Sequence, residues 1–372
     1  MTSDLFGPIF VPDELREAVS GRAWLQAMLD AERALAAASG VEGVTEACDA
    51  SLYDIAELAH DGRAAGNPVE PLVRALRERS GVPEAHRGAT SQDILDTAAM
   101  LVARGAREPI LREFDAAARR CAALAEEHRS TVMAARTLMQ QAVPTTFGLK
   151  AAGWLVGLLD ARGRLAAWRP VAQLGGAAGT LALLDDRGIE VVAAYARELD
   201  LAEPVLPWHA SRGPVRELVA ALAMTAAACG KVALDVVLLA QTEIAEVRVP
   251  DGASSTMPHK RNPVAPILVQ ACVRRVRALA TTFTWEHEHE RAAGAWHAEW
   301  EALSDVLALT GGAAMHLRRT LEQLEVDAER MRANLRPETL SEAGRHVEPD
   351  EYLGSADAFV DRALARFGEE LP

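Results

Sequence analysis

The chain is poor in aromatic residues, 5% of 372, and has only four cysteines, Cys48, Cys121, Cys229 and Cys272. The cysteines lie far apart and form no C-x-x-C, which argues against a disulfide framework or a cysteine metal site. Cys121 and Cys229 fall in apolar helical patterns, so reduced core cysteines are expected. Positive charge is also short. The net charge of −14 sets duplex nucleic acid aside as a partner. It does not exclude a small anion, because local basic groups decide a site. The longest charge-free apolar run, Leu218 to Gly230, falls short of the ~20 residues that span a bilayer. The N-terminus places Asp4 and Pro8 early and carries no basic-then-apolar signal. A cytoplasmic protein with no membrane partner is expected. Runs of alternating strand pattern and internal repeats are missing too.

What is present is helical periodicity in an Ala- and Leu-rich chain. Leu25, Met28, Leu29, Leu35 and Ala36 mark an early helix. Leu111, Phe114, Ala118, Cys121 and Ala125 mark another. From Val215 to Val249 there is no proline, and apolar residues lie nearly all round. Helical throughout, that segment would be ~50 Å long. Such a rod must be buried among other helices. One subunit of this length struggles to cover several of them, so an oligomer is expected. The expected fold class is all-α, with a helical N-terminal domain over 1–105, long helices over 106–335 and a short helical region over 336–372.

Four segments carry chemistry. In His86-Arg87-Gly88-Ala89-Thr90-Ser91-Gln92-Asp93, Thr90 or Ser91 is a good N-cap with Asp93 in the first turn. Hydroxyls beside an imidazole at a helix N-terminus suit a carboxylate. In Arg136-Thr137-Leu138-Met139-Gln140, Thr137 and Gln140 can hydrogen-bond a substrate oxygen, and Pro144 is placed to open a helix. The glycines of Gln173-Leu174-Gly175-Gly176-Ala177-Ala178-Gly179-Thr180 suggest close backbone approach. With no Gly-Lys-Ser/Thr and no preceding strand, a phosphate loop is not expected there. The fourth segment runs Gly252-Ala253-Ser254-Ser255-Thr256-Met257-Pro258-His259-Lys260-Arg261-Asn262-Pro263. It is flexible and hydroxyl-rich, then basic, then closes on an N-cap and a proline. Ser254 is the candidate proton-transfer group. A serine hydroxyl is too weak a base unless backbone N–H groups and Lys260 stabilise its alkoxide in a closed, dry site. Gly252 is the expected hinge of that closure. His209 and His259 are possible ligand contacts. The run Glu286-His287-Glu288-His289-Glu290, with His297, lacks helical metal-ligand spacing and reads as a charged helix face.

The fourth segment resembles the signature loop of the fumarase/aspartase superfamily, Gly-Ser-Ser-x-Met-Pro-x-Lys-x-Asn-Pro. The other three occur in that family's order, and the resemblance covers roughly residues 15–335. It implies an all-helical homotetramer with a central long-helix bundle and active sites built from several subunits. It implies cofactor-free, metal-free chemistry at a bond β to a carboxylate, through an aci-carboxylate carbanion. By this match Ser254 moves the proton on carbon, and His86 corresponds to a first-region histidine of the adenylosuccinate lyases. Thr90, Ser91, Gln92, Thr137, Lys260 and Asn262 fall at substrate-contacting positions. Arg136, Gln140, Arg212 and Arg261 join them as candidate partners of a small anionic tricarboxylate.

Gly88 to Thr97, Pro207-Trp208-His209, Trp296 to Glu301 and Tyr352 to Phe359 are most similar to the cycloisomerase branch, which closes a diene tricarboxylate to a lactone. Fumarases and adenylosuccinate lyases carry Thr-His in the second segment; here the position is Leu138. A carboxylate attacks or leaves without a proton, its conjugate acid having a pKa near ~4. An amine does not. Leu138 therefore favours a cycloisomerase, or a lyase with an acidic leaving group such as nitrite, over an amine-eliminating enzyme of the adenylosuccinate lyase type; an inactive structural homologue is the remaining alternative. Three departures stand out. Ala253 replaces a glycine, only Arg212 remains of an Arg-Asp-Arg, and the family's small third helical domain is reduced to a motif ending in Tyr352-Leu353-Gly354-Ser355-Ala356-Asp357.

Overall fold

The apolar spacing is realised as a mostly helical chain. The computed structural model describes residues 5–371, apart from 251, 253–256, 258–259, 285–286 and 344–346. Two units form, each from three stretches of chain. The first comprises Met1–Pro109, Ala167–Leu222 and Arg277–Ala308; the second comprises Ile110–Ala166, Ala223–Val276 and Leu309–Pro372.

The main helices are α1 (Gly21–Ser39), α2 (Ile55–Ala65), α3 (Val69–Ser80), α4 (Ser91–Glu127), α5 (Phe147–Ala167), α6 (Gly188–Glu198), α7 (Gly213–Leu239), α8 (Val264–Ala280), α9 (Ala295–Glu322), α10 (Ala328–Ala333) and α11 (Ala356–Glu370). Helix α1 shows how local sequence sets both ends. The Ser20 hydroxyl accepts from the Ala23 N–H at 3.2 Å, and Gly40 closes the helix in the left-handed region. Its buried face contains the periodic set Leu25, Met28, Leu29, Leu35 and Ala36. Helix α4 runs on through Pro109, whose missing N–H deprives the Gly105 carbonyl of its helical donor. The four cysteines are free and buried, and burial pushes Cys48 and Cys272 up to about 12.

The expected rod over 215–249 is shorter than its apolar run. Helix α7 stops at Leu239, where a turn over Gln241–Ala245 takes the backbone away, with Ala245 at φ 52. The chain then forms β3 (Val247–Arg248), which pairs antiparallel with β4 (Glu325–Val326). Helix α7 has the length and composition of a membrane span, but more than half of its apolar window is buried within the protein.

Strands also appear where a loop and a helix start are expected. β1 (Val132–Thr137) and β2 (Gln140–Thr146) form an antiparallel hairpin with Thr137 opposite Gln140. Pro144 lies in β2 opposite Ala134 and does not open the helix. Thr146 does that, its hydroxyl accepting from the Leu149 N–H at 3.0 Å. The two-residue tip, Leu138 and Met139, takes φ 49 and 66. Both values are positive, as a primed hairpin turn requires, although neither residue is glycine or asparagine.

In the second unit, glycines let backbones meet. A Cβ on Gly148 would lie 2.6 Å from the Ala125 oxygen and from the Arg129 Cα. Near Gly230 the Val273 side chain comes within van der Waals reach, and the Gly230 carbonyl accepts from the Gln270 amide at 2.6 Å. Because backbone cannot yield as a side-chain tip can, Gly148→Ala is expected to lower stability by about 1–3 kcal/mol. Urea unfolding of the two proteins measures this, and an unchanged midpoint would contradict the close approach.

Candidate active site

In the first unit the site is built around the start of α4. Thr90 stands at the N-cap position, and its N–H donates to Asp93 Oδ2 at 2.9 Å while the Asp93 N–H donates to the Thr90 carbonyl. The Asp93 carboxylate thus reaches back to the N-cap N–H as in one half of a capping box, while the return bond is made by the Thr90 carbonyl. Asp93 is fully buried. It also accepts from the N–H groups of Gly175 and Gly176, each at 2.9 Å, and its Oδ1 lies 2.5 Å from His209 Nε2. The glycine segment is therefore an anion cradle whose anion is a side chain of the protein. A Cβ on Gly175 would lie 2.6 Å from Pro207 and 2.7 Å from His209; one on Gly176, at φ 68, would lie 2.7 Å from the Gly88 oxygen.

One turn further along α4, Asp96 anchors a second buried network. Arg212, 1% exposed, donates to Asp96 at 2.6 and 3.0 Å and to Glu299 at 2.5 Å. Trp296 Nε1 donates to Asp96 at 2.9 Å, and the Arg212 guanidinium lies 4.9 Å from the Trp208 ring. Burial works against the Arg212 charge, but Asp96 and Glu299 outweigh it and hold the guanidinium firmly protonated. Burial also pushes the Glu299 carboxyl up, against the pull of Arg212. Arg212, expected to hold a substrate carboxylate, is here committed to two carboxylates of the protein. Redirecting it would leave two buried carboxylates unpaired, which is strongly destabilising. Gln92 is buried too, its amide nitrogen donating to Asp96 and to the His209 carbonyl at 3.1 and 2.9 Å. Its Oε1 has no partner among the described residues.

His86 and Ser91 line one cavity of about 440 Å³ with Arg74, Arg77, Glu70 and Glu78. His86 adopts φ 68, and its Nδ1 lies 2.6 Å from the fully buried Glu32 carboxylate. Burial opposes the imidazolium, but Glu32 outweighs it, so the His86 pKa is raised. The charged helix face expected around His287 is not formed. Residues 287–294 are irregular, and the His287 side chain is inaccessible, 3.6 Å from Glu299. Burial and then Arg212 push its pKa down.

The second unit carries the remaining candidates. Arg136 donates to both oxygens of Glu246, at 2.9 and 2.5 Å, and Asn334 donates to the same carboxylate at 2.8 Å. Thr137 and Gln140 are exposed, at the inner end of the hairpin tip. Arg136 and Gln140 share a polar cavity of about 480 Å³ with Gln141, Glu243 and Asn334. In the signature loop, Ser254 and His259 lie outside the described residues. Gly252 takes φ 71 and accepts from the Asn262 N–H at 3.0 Å. A Cβ there would lie 2.3 Å from Val264 Cγ2 and 2.7 Å from the Asn262 oxygen, so close packing as well as the left-handed φ requires glycine. Helix α8 starts at Val264, just after Asn262-Pro263. Lys260 and Arg261 are exposed cations before that helix. Of the carboxylates that hold the arginines and His86, Asp96 and Glu299 fall in segments already matched to the family, Gly88 to Thr97 and Trp296 to Glu301, whereas Glu32 and Glu246 lie in segments that carry no motif.

A family profile described as "Lyase" matches residues 13–278. The 3-carboxy-cis,cis-muconate cycloisomerase of Bradyrhizobium diazoefficiens is 43% identical over 357 residues, covering 90% of this chain and 79% of that one. The nitrosuccinate lyase of Streptomyces davaonensis is 45% identical over 365 residues, covering 90% and 77%. The crystal structure of the 3-carboxy-cis,cis-muconate lactonizing enzyme from Pseudomonas putida superposes with a TM-score of 0.91 at 35% identity, covering 100% of both chains.

The His86–Glu32 pair makes stability depend on pH. Because the folded pKa of His86 is raised, its contribution is fully present below the ordinary histidine value of about 6.5. It is lost as pH rises through the raised value. The stability difference between wild type and Glu32→Gln should therefore shrink on going from mildly acidic to alkaline pH in urea titrations; a constant difference would exclude the ion pair. Asp93→Asn replaces one accepting oxygen with an amide that cannot accept and leaves a buried donor unsatisfied, so a loss of about 1–3 kcal/mol is expected. The same titrations at neutral pH measure it.

Proposed function

The chain belongs to the lyase family, within the fumarase/aspartase superfamily, and on that premise we propose that it lactonises 3-carboxy-cis,cis-muconate to 4-carboxymuconolactone. The observation that carries this reading over an amine-eliminating lyase is Leu138. It stands 97% exposed at the hairpin tip, where related enzymes would present an imidazole, and it has no proton to give. Relatives that bear the cycloisomerase name at 39–43% identity support the same choice.

In the proposed reaction a carboxylate of the substrate adds to its own diene. A C–O bond forms, and the displaced electron pair delocalises into the adjacent carboxylate as an aci-carboxylate. Ser254 then delivers a proton to carbon and is reprotonated from solvent. The protein must hold three carboxylates, align the attack and stabilise the intermediate. Lys260, Arg261, Asn262, Thr90, Ser91, Thr137 and Gln140 are the proposed contacts, with His86 beside Ser91 as the candidate acid-base partner. The substrate's own carboxylate is the nucleophile, so no cofactor enters this scheme.

We further propose that the chain works as a homotetramer with sites built from several subunits. Support comes from exposed apolar side chains on the long helices, Met224 and Leu234 on α7 and Ile267 on α8. A mass of one chain in light scattering would refute it.

A second reading is elimination of nitrite from nitrosuccinate, favoured by the 45% identical relative; nitrite also leaves without a proton. Both readings meet in one assay. Loss of muconate diene absorbance should be rapid in the wild type and at least about 100-fold slower in Ser254→Ala, the low end of what a positioned proton donor contributes. Nitrite release from nitrosuccinate without lactonisation would establish the second reading. Turnover of aspartate, argininosuccinate or adenylosuccinate at a matching rate would sink both.

A further inference from the structure

Arg136, Lys150 and Lys231 line one small cavity of the second unit, about 200 Å³, together with Asp235. Met139 and Ile244 supply apolar wall. Two of the three cations are already matched. Arg136 is forked onto Glu246, which also takes Asn334. Lys231 lies 2.5 Å from Asp235 Oδ1, and the other Asp235 oxygen accepts from Trp154 Nε1 at 2.8 Å. Lys150 makes no hydrogen bond and no close ion pair among the described residues. Burial, only partly offset by Asp235, lowers its pKa. A largely desolvated ammonium without a partner is costly unless a ligand supplies the partner.

The choice of residue points the same way. Of the 39 basic residues of the chain, three are lysines: Lys150, Lys231 and Lys260. Two of its three lysines line this one cavity. An ammonium is a compact point charge with three rotatable donors, whereas a guanidinium is a broad planar fork. A small cavity that must keep room for an anion suits the former.

We infer that the Lys150 cavity is a carboxylate-binding subsite, with Lys150 as the ion-pair partner of one carboxylate of a di- or tricarboxylate ligand. Arg136 and Met139, which line it, belong to the second chemistry-bearing segment. The inference deepens the tricarboxylate reading above and rests on it for the identity of the substrate. It also fills the role that Arg212, fully engaged with Asp96 and Glu299, does not.

The probe is tricarballylate, a saturated tricarboxylate that cannot lactonise. Acetic anhydride footprinting of the wild-type protein, read by mass spectrometry, has only three lysines to follow. Lys150 should acetylate about tenfold more slowly with saturating probe. In calorimetry Lys150→Met should bind the probe about 10- to 100-fold more weakly, the loss expected of a charge-assisted contact, and with muconate its KM should rise more than its kcat falls. An unprotected Lys150, or a variant that binds as tightly as wild type, would overturn the subsite. If Lys150→Met does not fold, the wild-type footprint decides alone. Protection of Lys150 in a protein that leaves muconate unchanged keeps the subsite and removes the cycloisomerase reading. Muconate turnover with an unaltered KM in Lys150→Met does the reverse.

Discussion

A carboxylate removed from water must be surrounded by donors, and Asp93 is the point at which the first unit meets that demand. It draws in the cap of α4, two consecutive backbone N–H groups and the His209 imidazole. The donors come from three different parts of the chain, so one buried carboxylate ties the helix start, the glycine segment and the Trp208-His209 loop into a single arrangement. The glycines follow from this. Only a residue without a side chain lets the backbone of 175 and 176 reach Asp93 without striking Pro207, His209 or Gly88. One helical turn on, Asp96 repeats the device with Arg212, Glu299 and Trp296. A charge network this complete rigidifies its surroundings and leaves its members little freedom to serve a ligand.

The local features were legible because their causes are local. The periodic face of α1, the capped start of α4 with Asp93 in its first turn, and the Asn262-Pro263 entry to α8 are written within a few residues of where they act. The hairpin was not legible. Its strands are short, carry no clean alternation, and contain a proline that suits a helix start equally well. Pairing partners were also hidden. Arg136 and Glu246 are separated by 110 positions, and Arg212 and Asp96 by 116. No spacing rule reaches that far, so Arg136 and Arg212 looked like free cations. The match of the four segments to a family carried information that periodicity did not, since it places residues by descent. It could not say which of them are spent on one another.

That distinction bears on the chemistry of an acidic protein acting on an anion. The cations available to a ligand are those that the fold has not already neutralised. Of the candidate cations, pairing takes Arg136 and Arg212 largely out of that set and, among the described residues, leaves Lys150, Lys260 and Arg261 without a close partner. Net charge therefore says little about the affinity of such a site; the count of unsatisfied donors says more. The Gly175–Gly176 cradle, which would attract an external anion elsewhere, is here filled by Asp93.

The hairpin tip has a consequence of another kind. Leu138 and Met139 sit in left-handed backbone conformations that β-turn geometry imposes and that their side chains disfavour. Residues in such wells sample few alternatives, so the tip has surrendered much of its conformational entropy during folding. Two solvent-facing apolar side chains on an already ordered backbone form a stiff peg. Any surface that receives it gains the full benefit of covering apolar area while ordering little that was free.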